Sequence, residues 1–496
     1  MTKFLRPNVA LTLFLIAATC AFAATPIVTV TTPTNSETEG SPVHFIASAS
    51  SPDCADGISA MRIYSAPGVS AYTRYSSQIN SYISLANGTY NAVVQAWDHC
   101  GGVGKTTVKI KVDAQAAPAG FLYTANSAYW NSSNHGPNYM IGYEIVSGGN
   151  GALAMTRQAP VNTDLYPIDV ASDKGGHRLY VGNYFASDVS AYFINRQNGY
   201  LTSVSGSPFA ANQYVGAVAV HPSGHYVFAT RDQHEGNDGV AVFHVQSNGS
   251  LVEIPGSPFP TQNDPSQIVV DPSGKYLYVV DSEAYLDAFQ ISSDGSLTPL
   301  PGEPYQLTTR NGCTPNPLGL IDLFGKALYT ANGGDYSISG FKVNAITGTL
   351  TQIAGSPWAD PQECPPGGVV CPGGCSASPV SLAIDGSGNF LYAEDGATDG
   401  VTIFRINSSG ALTYVKDEVL DSTLVCGEIR TDSGGNYLYA ACGPDPDYEV
   451  NVNPGLDEIC IYVINHTTGD LTASPSSPEP VPETGGAVLT SFAVTP

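Results

Sequence analysis

From Phe121 onward, apolar residues come in short runs of three to six positions, each closed by Gly, Pro, Asn, Asp or Ser. The stretch from Gln267 to Thr298 shows the pattern most cleanly. Gln267 to Val270 is a short apolar run, and Pro272-Ser-Gly274 supplies a turn. Tyr276 to Val280 carries the β-branched and aromatic residues that suit a pleated surface, a third run ends at Ile291, and Ser293-Asp-Gly295 turns into a fourth. The pattern predicts four short strands joined by tight turns.

The same order returns along the chain. Anchored on the second run, the units are marked by Leu122-Tyr123, Leu179-Tyr180, Val227-Phe228, Leu277-Tyr278, Leu328-Tyr329, Leu391-Tyr392 and Leu438-Tyr439, with spacings of 57, 48, 50, 51, 63 and 47 residues. Seven four-stranded units at that period predict a seven-bladed β-propeller. Four units close with a Pro-aromatic tail, at Phe209, Phe259, Tyr305 and Trp358, which reads as a wedge between neighbouring sheets. The first unit lacks a first strand, whereas Leu489 to Val494 is a first strand with no unit behind it. The last strand is therefore expected to complete the first blade and leave no exposed edge.

A different pattern precedes the repeats. Runs at Ile27–Val30, Val43–Ala47, Met61–Tyr64, Tyr90–Ala96 and Thr107–Val112, separated by turn residues, predict a small antiparallel sandwich of the immunoglobulin-like kind. Cys54 and Cys100 fall in loops at one end of it, which predicts a disulfide between them. Residues 114–119 form an Ala/Pro linker. At the start, Lys3 and Arg6, an apolar run from Val9 to Ala18 and then Ala21-Phe-Ala23 make a secretory signal peptide. The expected organisation is a signal peptide over 1–23, an immunoglobulin-like sandwich over 24–113, the linker over 114–119 and the propeller over 120–496. The fold class is all-β.

Composition narrows the function classes. Of 496 residues, 52 are Gly and 36 Pro, as a chain with a turn every few residues requires. Once the leader is removed, 17 basic residues face 43 acidic ones, a formal charge of -26. Nucleic acid and anionic membranes are poor partners for such a surface, and no run after the leader approaches the ~18 apolar residues of a membrane span. Nine cysteines remain in an exported chain, so disulfides are expected over thiolate-bound metal.

Candidate chemistry lies in the loops that leave each second strand. Three residues beyond the anchor aromatics stand Asn126, Asn183, Arg231, Asp281, Asn332, Asp395 and Cys442. The asparagines and aspartates of this set form a candidate ligand-binding ring, or alternatively cap their own turns. Arg231-Asp-Gln-His-Glu235 is the densest ionisable cluster of the repeats, in a chain where only 12% of residues are charged. Arg231 to orient an anion, with Asp232 or His234 to move protons, would make a hydrolytic set. The excursion from Asp445 to Asn453 alternates oxygen ligands, which makes calcium possible, but Val450 and Leu456 depart from an EF-hand. Cys313, Cys364, Cys371 and Cys375 lie in long loops, and Cys426, Cys442 and Cys460 share the seventh unit; no metal site is expected among them, and their pairing stays open.

The Pro-Ser-Gly-x-Tyr-Leu-Tyr turns, the Gly-x-Leu-Thr fourth strands and the Gly-Ser-Pro-Phe tails resemble the seven-bladed lactonase superfamily, typified by bacterial 6-phosphogluconolactonase and fungal muconate cycloisomerase. The likeness runs from about Pro118 to Pro496. It implies opening of a sugar lactone at the channel face. The Gly-Pro-Arg-His and Asn-Glu segments of those enzymes are absent: their positions fall on Gly216-Ala217 and Arg231-Asp232, or one unit later on Ser266-Gln267 and Asp281-Ser282. Two functions follow. One is a secreted binding or surface module that holds a carbohydrate or a protein at the channel face, without a cofactor. The other is an extracellular lactone hydrolase built on Arg231, Asp232 and His234.

Overall fold

The structure is a computed structural model that describes residues 25–39, 41–112, 118–128, 137–232, 238–308, 317–323, 325–359, 379–395, 400–420, 425–443, 458–482 and 487–496. The expected leader, most of the expected linker, His234, the Asp445 to Asn453 excursion and Cys313, Cys364, Cys371 and Cys375 lie outside these residues. Every element among the described residues is a strand or a turn. The chain divides into two compact units, one N-terminal and one that carries the repeats to Pro496.

N-terminal strands form two antiparallel sheets. Ile27–Thr32, Val43–Ser50 and Gln78–Ile83 make the first; Glu37–Glu39, Val103–Val112, Gly88–Asp98, Ile58–Ala66 and Val69–Arg74 make the second. Alternation decides what is buried: Val43, Phe45 and Ala47 point inward on one strand, and Ala92, Val94 and Ala96 on another. Cys54 and Cys100 are joined by a disulfide. Asp98 organises the loop around it, accepting from the Cys100 and Gly102 amides at 3.0 and 2.6 Å and from the Ser51 hydroxyl at 2.7 Å. These bonds, the one from Ser51 foremost, hold the Asp98 carboxyl below its ordinary pKa.

Seven further sheets of four principal strands follow among the described residues, which is the expected propeller. In blade 2, for example, Pro167–Ser172 is innermost, followed outward by Arg178–Asn183, Asp188–Ile194 and Leu201–Ser203. Blade 1 takes its inner strand from the other end of the chain. Ala487–Thr495 pairs antiparallel with Gly120–Ala128, from Ala487 opposite Ala128 to Thr495 opposite Phe121 with one bulge after Leu489. The C-terminal strand thus closes the ring.

Adjacent blades meet through the anchor aromatics, and all seven rings are fully buried. Burial of such a ring is worth roughly 1.5–3 kcal/mol. Five of the hydroxyls also reach the outer hairpin of the next blade. Tyr123, Tyr278, Tyr329, Tyr392 and Tyr439 donate to the carbonyls of Gly199, Gly348, Gly410, Gly469 and Gly151 at 2.7–3.1 Å. Those glycines have φ between +70° and +86°, so the hairpin turns tightly enough to present its carbonyl to the ring.

The Gly-Ser-Pro tails do more than the sequence pattern suggested. Phe209, Phe259, Tyr305 and Trp358 pack against inter-blade cores, and each also starts a two-residue strand on the third strand of its blade. The preceding serines accept a third-strand amide: Ser207 from Ala191, Ser257 from Val242 and Ser356 from Gly340, at 2.8–3.0 Å.

Candidate functional site

Each inner strand begins at the same end of the propeller where its second strand finishes, as the Pro167 to Asn183 and Pro265 to Asp281 pairings show. The connecting loops at that end form one face. Asn126, Asn183, Asp281, Asn332 and Asp395 all stand at this level, and all five are fully buried.

Several of their polar groups turn back into their own hairpins. Asn183 donates to Asp188 and Ser190 at 2.7 and 2.9 Å, and Asn332 donates to Ser337 and Ser339 at 3.0 and 2.8 Å. Asp281 accepts the amides of Glu283 and Tyr285, and Asn126 donates to the Thr124 hydroxyl. For Asn183, Asn332 and Asp281 these bonds fit the alternative in which the residues cap their own turns. The cause is local: a short amide or carboxylate at a strand exit satisfies the donors and hydroxyls of the hairpin it enters.

Arg231 and Asp232, adjacent in sequence, diverge in space. Arg231 ends the second strand of blade 3, is 4% exposed, and donates from Nη2 to Glu253 of the outer strand at 2.8 Å. Asp232 instead accepts the Tyr184 hydroxyl of blade 2 at 3.2 Å, and its amide bonds the Tyr214 carbonyl. The two side chains thus have separate partners, and the third member of the expected hydrolytic set, His234, lies outside the described residues.

A site the sequence reading missed lies in the channel. Strand bulges follow Pro167, Pro265, Pro317, Pro379, Cys426 and Leu489 of six inner strands. The residues just after them, Asp169, Gln267, Gly319, Ser381, Glu428 and Ser491, all line a cavity of about 590 Å³ that touches every inner strand. A bulge re-aims the following side chain, so one local device repeated around the ring sets a belt of polar groups at one depth. In four of these strands the signal was legible as a polar or small residue two places after Pro.

Arg430, two residues beyond Glu428 on the same face of its strand, completes the belt. Its Nη2 lies 3.2 Å from Asp169 Oδ1, and its Nε donates to Glu428 Oε1 at 2.6 Å. The carboxylates are held from behind as well: Asp169 Oδ2 accepts the Val218 amide at 2.8 Å, and Glu428 Oε2 accepts the Phe492 amide at 3.1 Å. Burial pushes both carboxyls above their ordinary pKa, against the pull of the guanidinium. The pair of carboxylates in turn holds Arg430 above its ordinary value despite burial.

Among the described residues, two groups bring potential metal ligands together. Cys54, Asp98 and Cys100 lie close together, but the two sulfurs are already bonded to each other. Asp232, Asp238 and Asp264 bring carboxylate oxygens within 4.8 Å of one another on the loop face, a donor set of the kind hard cations take. The calcium expectation was attached to a different stretch, outside the described residues. In blade 7, Cys426 and Cys442 face each other across the first two strands as a disulfide, and Cys460 is buried on the third.

The fold is a seven-bladed β-propeller with a polar channel. Residues 203–305 match the family model described as "Lactonase, 7-bladed beta-propeller". Among solved structures, the chain is similar to a putative 6-phosphogluconolactonase from Bacteroides fragilis NCTC 9343, at 18% identity and a TM-score of 0.54, over 76% of this chain and 99% of that one. It is similar over the same shares to a putative 6-phosphogluconolactonase from Bacteroides uniformis ATCC 8492, at 18% identity and a TM-score of 0.53. A periplasmic gluconolactonase of Pseudomonas aeruginosa aligns at 16% identity with a TM-score of 0.52, again over 76% and 99%. These likenesses show the fold. A comparison with curated proteins finds no match.

Proposed function

We propose that this protein is a secreted binding propeller whose ligand is a neutral carbohydrate, taken at the loop face and channel. The observation that carries this reading is charge balance. Arg430 is held by Asp169 and Glu428, and Arg231 is held by Glu253. A phosphorylated or carboxylated sugar would have to displace those partners and meet a net negative belt. A neutral polyol needs only hydrogen-bonding groups, which Gln267, Ser381 and Ser491 provide beside the carboxylates. The expected leader and the two disulfides among the described residues support export, because such bonds persist in oxidising compartments. In the same reading the N-terminal sheets form an immunoglobulin-like module ahead of the propeller.

The test is calorimetric titration of the mature protein with uncharged oligosaccharides beside gluconate and 6-phosphogluconate. Saturable binding of a neutral sugar that the anions do not match supports the proposal. Preference for either anion refutes it.

One observation favours a second reading, lactone hydrolysis. Asp169 and Glu428 are carboxyls of raised pKa in a cavity that every inner strand touches, and such a group can take a proton from attacking water. On this reading the chemistry sits in the channel rather than at Arg231, Asp232 and His234. Titration of released acid at constant pH, with gluconolactone as substrate, decides it. Turnover abolished in Glu428→Gln and unchanged by a chelator would establish the hydrolase, whereas a rate equal to the uncatalysed one removes it for that substrate.

A further inference from the structure

Beside the channel, the loop face of blades 2 and 3 carries four aromatic rings. Tyr166 precedes the inner strand of blade 2, Tyr184 and Phe185 form its next hairpin turn, and Tyr214 leads into the inner strand of blade 3. Tyr184 and Tyr214 stack with centroids 4.9 Å apart and planes 11° from parallel. Phe185 meets Tyr184 and Tyr214 edge-on at 5.0 and 6.0 Å, and Tyr166 lies 4.9 Å from Phe185. The cluster joins two blades, yet it is not core: none of the four rings is fully buried, and Tyr214 is 38% exposed.

Its backbone is fixed. The Tyr184 amide bonds the Tyr166 carbonyl at 2.9 Å, and the Asp232 amide bonds the Tyr214 carbonyl at 3.0 Å. Tyr166 itself is held at φ +58°, a left-handed conformation rare for a bulky side chain and commonest where a structure holds a side chain for use.

A cavity of about 430 Å³ is lined among others by Gln213, Arg231 and Asp238. It connects to the rings through two residues: Gln213 is the chain neighbour of Tyr214, and the Asp238 carboxylate lies within 4.8 Å of that of Asp232, which accepts the Tyr184 hydroxyl. Although Arg231 is 4% exposed and its Nη2 is taken by Glu253, its Nε–H has no partner among the described residues. A buried donor without an acceptor calls for an explanation, and an oxygen of a bound molecule supplies one.

We infer that Tyr214 and Tyr184, with the cavity of Gln213, Arg231 and Asp238, form a carbohydrate subsite: the exposed face of Tyr214 stacks on the C–H face of a pyranose. Arg231 donates to a ring or hydroxyl oxygen, and Gln213 and the carboxylates accept from hydroxyls. The stacked geometry presents one flat face, not the several converging faces that enclose a quaternary ammonium. This inference rests on the reading of the protein as a neutral-carbohydrate binder, and it moves the principal contact from the channel to its rim.

The experiment is calorimetric titration of the mature protein with cellotetraose, maltotetraose, xylotetraose and chitotetraose, and with tetramethylammonium as the competing chemistry. It is run on wild type, Tyr214→Ala, Tyr214→Phe and Gln213→Ala. At least one tetraose is expected to bind, with affinity lowered fivefold or more by Tyr214→Ala and by Gln213→Ala and kept within twofold by Tyr214→Phe. Binding equal in wild type and Tyr214→Ala overturns the subsite and leaves the carbohydrate reading standing. Binding of no tetraose by wild type overturns both. Tetramethylammonium bound in a Tyr214-dependent way, with no tetraose bound, assigns the platform to cations and overturns the inference.

Discussion

Arg430 of blade 7 and Asp169 of blade 2 meet across the channel at 3.2 Å, spanning blade 1, whose inner strand comes from the end of the chain. Glu428 extends the link by accepting the Phe492 amide of that closing strand, and Asp169 extends it by accepting the Val218 amide of blade 3. One guanidinium therefore ties together four blades at the seam of the ring.

Replacing Arg430 by Leu leaves two carboxyls facing each other without their counter-charge. Both already have raised pKa values, from burial first, and losing the cation raises them further. For a carboxyl raised in the folded state, stability is full while it is protonated and is lost as pH rises through its folded value. Arg430→Leu is accordingly expected to cost little at pH 5 and about 1–3 kcal/mol at pH 8, the lower end reflecting access of channel water. Thermal unfolding at both pH values measures this, and an equal loss at the two would show that the ion pair is not the cause.

Removing the closing strand, residues 487–496, should destabilise the whole propeller and not blade 1 alone. Phe492 is fully buried in the core between blades 7 and 1, and Ala493 is nearly so in the core between blades 1 and 2. Loss of the strand also strips the ladder from Gly120–Ala128 and exposes an edge. A single unfolding transition at markedly lower temperature is expected for the truncated protein; a transition unmoved from wild type would refute ring closure as a source of stability.

The sequence made the blades legible because their devices are local and repeated: an aromatic anchor, a turn and a hairpin glycine recur at fixed spacing. It concealed the two-residue strands such as Phe209–Ala210, which are too short to show alternation. Gln78–Ile83 and Val69–Arg74 were also missed, since each mixes polar residues into its run and pairs only once its neighbours are in place. The channel triad was hidden for another reason. Asp169 and Arg430 are 261 residues apart, and only the closing of the ring makes them neighbours. Arg231 and Asp232 show the converse: neighbours in sequence, they take partners in different blades, Glu253 of blade 3 and Tyr184 of blade 2.

Asp287 offers a sharper pH test. In blades 2, 3 and 5 the tail serine accepts a third-strand amide, but blade 4 has Glu303 at that position, beside the 2% exposed Asp287. Burial first, then the hydrogen bond and charge of Glu303, push Asp287 up to about 7. Its contribution to stability is full below the unfolded value near 3.9 and declines as pH rises through about 7. Asp287→Asn should therefore gain stability relative to wild type at pH 8, by about 1 kcal/mol or more, and show little gain at pH 5. A difference in melting temperature that does not change with pH would contradict the shared proton.

Asn332 separates the two roles open to the loop-face ring. Its amide serves Ser337 and Ser339, and the Ser337 hydroxyl in turn reaches Asp335, so the side chain belongs to a closed network inside one hairpin. Substitution by Ala leaves buried hydroxyls short of an acceptor or donor, at a cost of about 1–3 kcal/mol. A ligand contact at this position would act on affinity, while a turn cap acts on unfolding. Asn332→Ala is thus expected to lower the melting temperature and leave the affinity for any bound oligosaccharide within twofold of wild type. A fivefold loss of affinity in a variant that melts like wild type would return the ring to the binding surface, and would require Asn332 to leave its hairpin when ligand arrives.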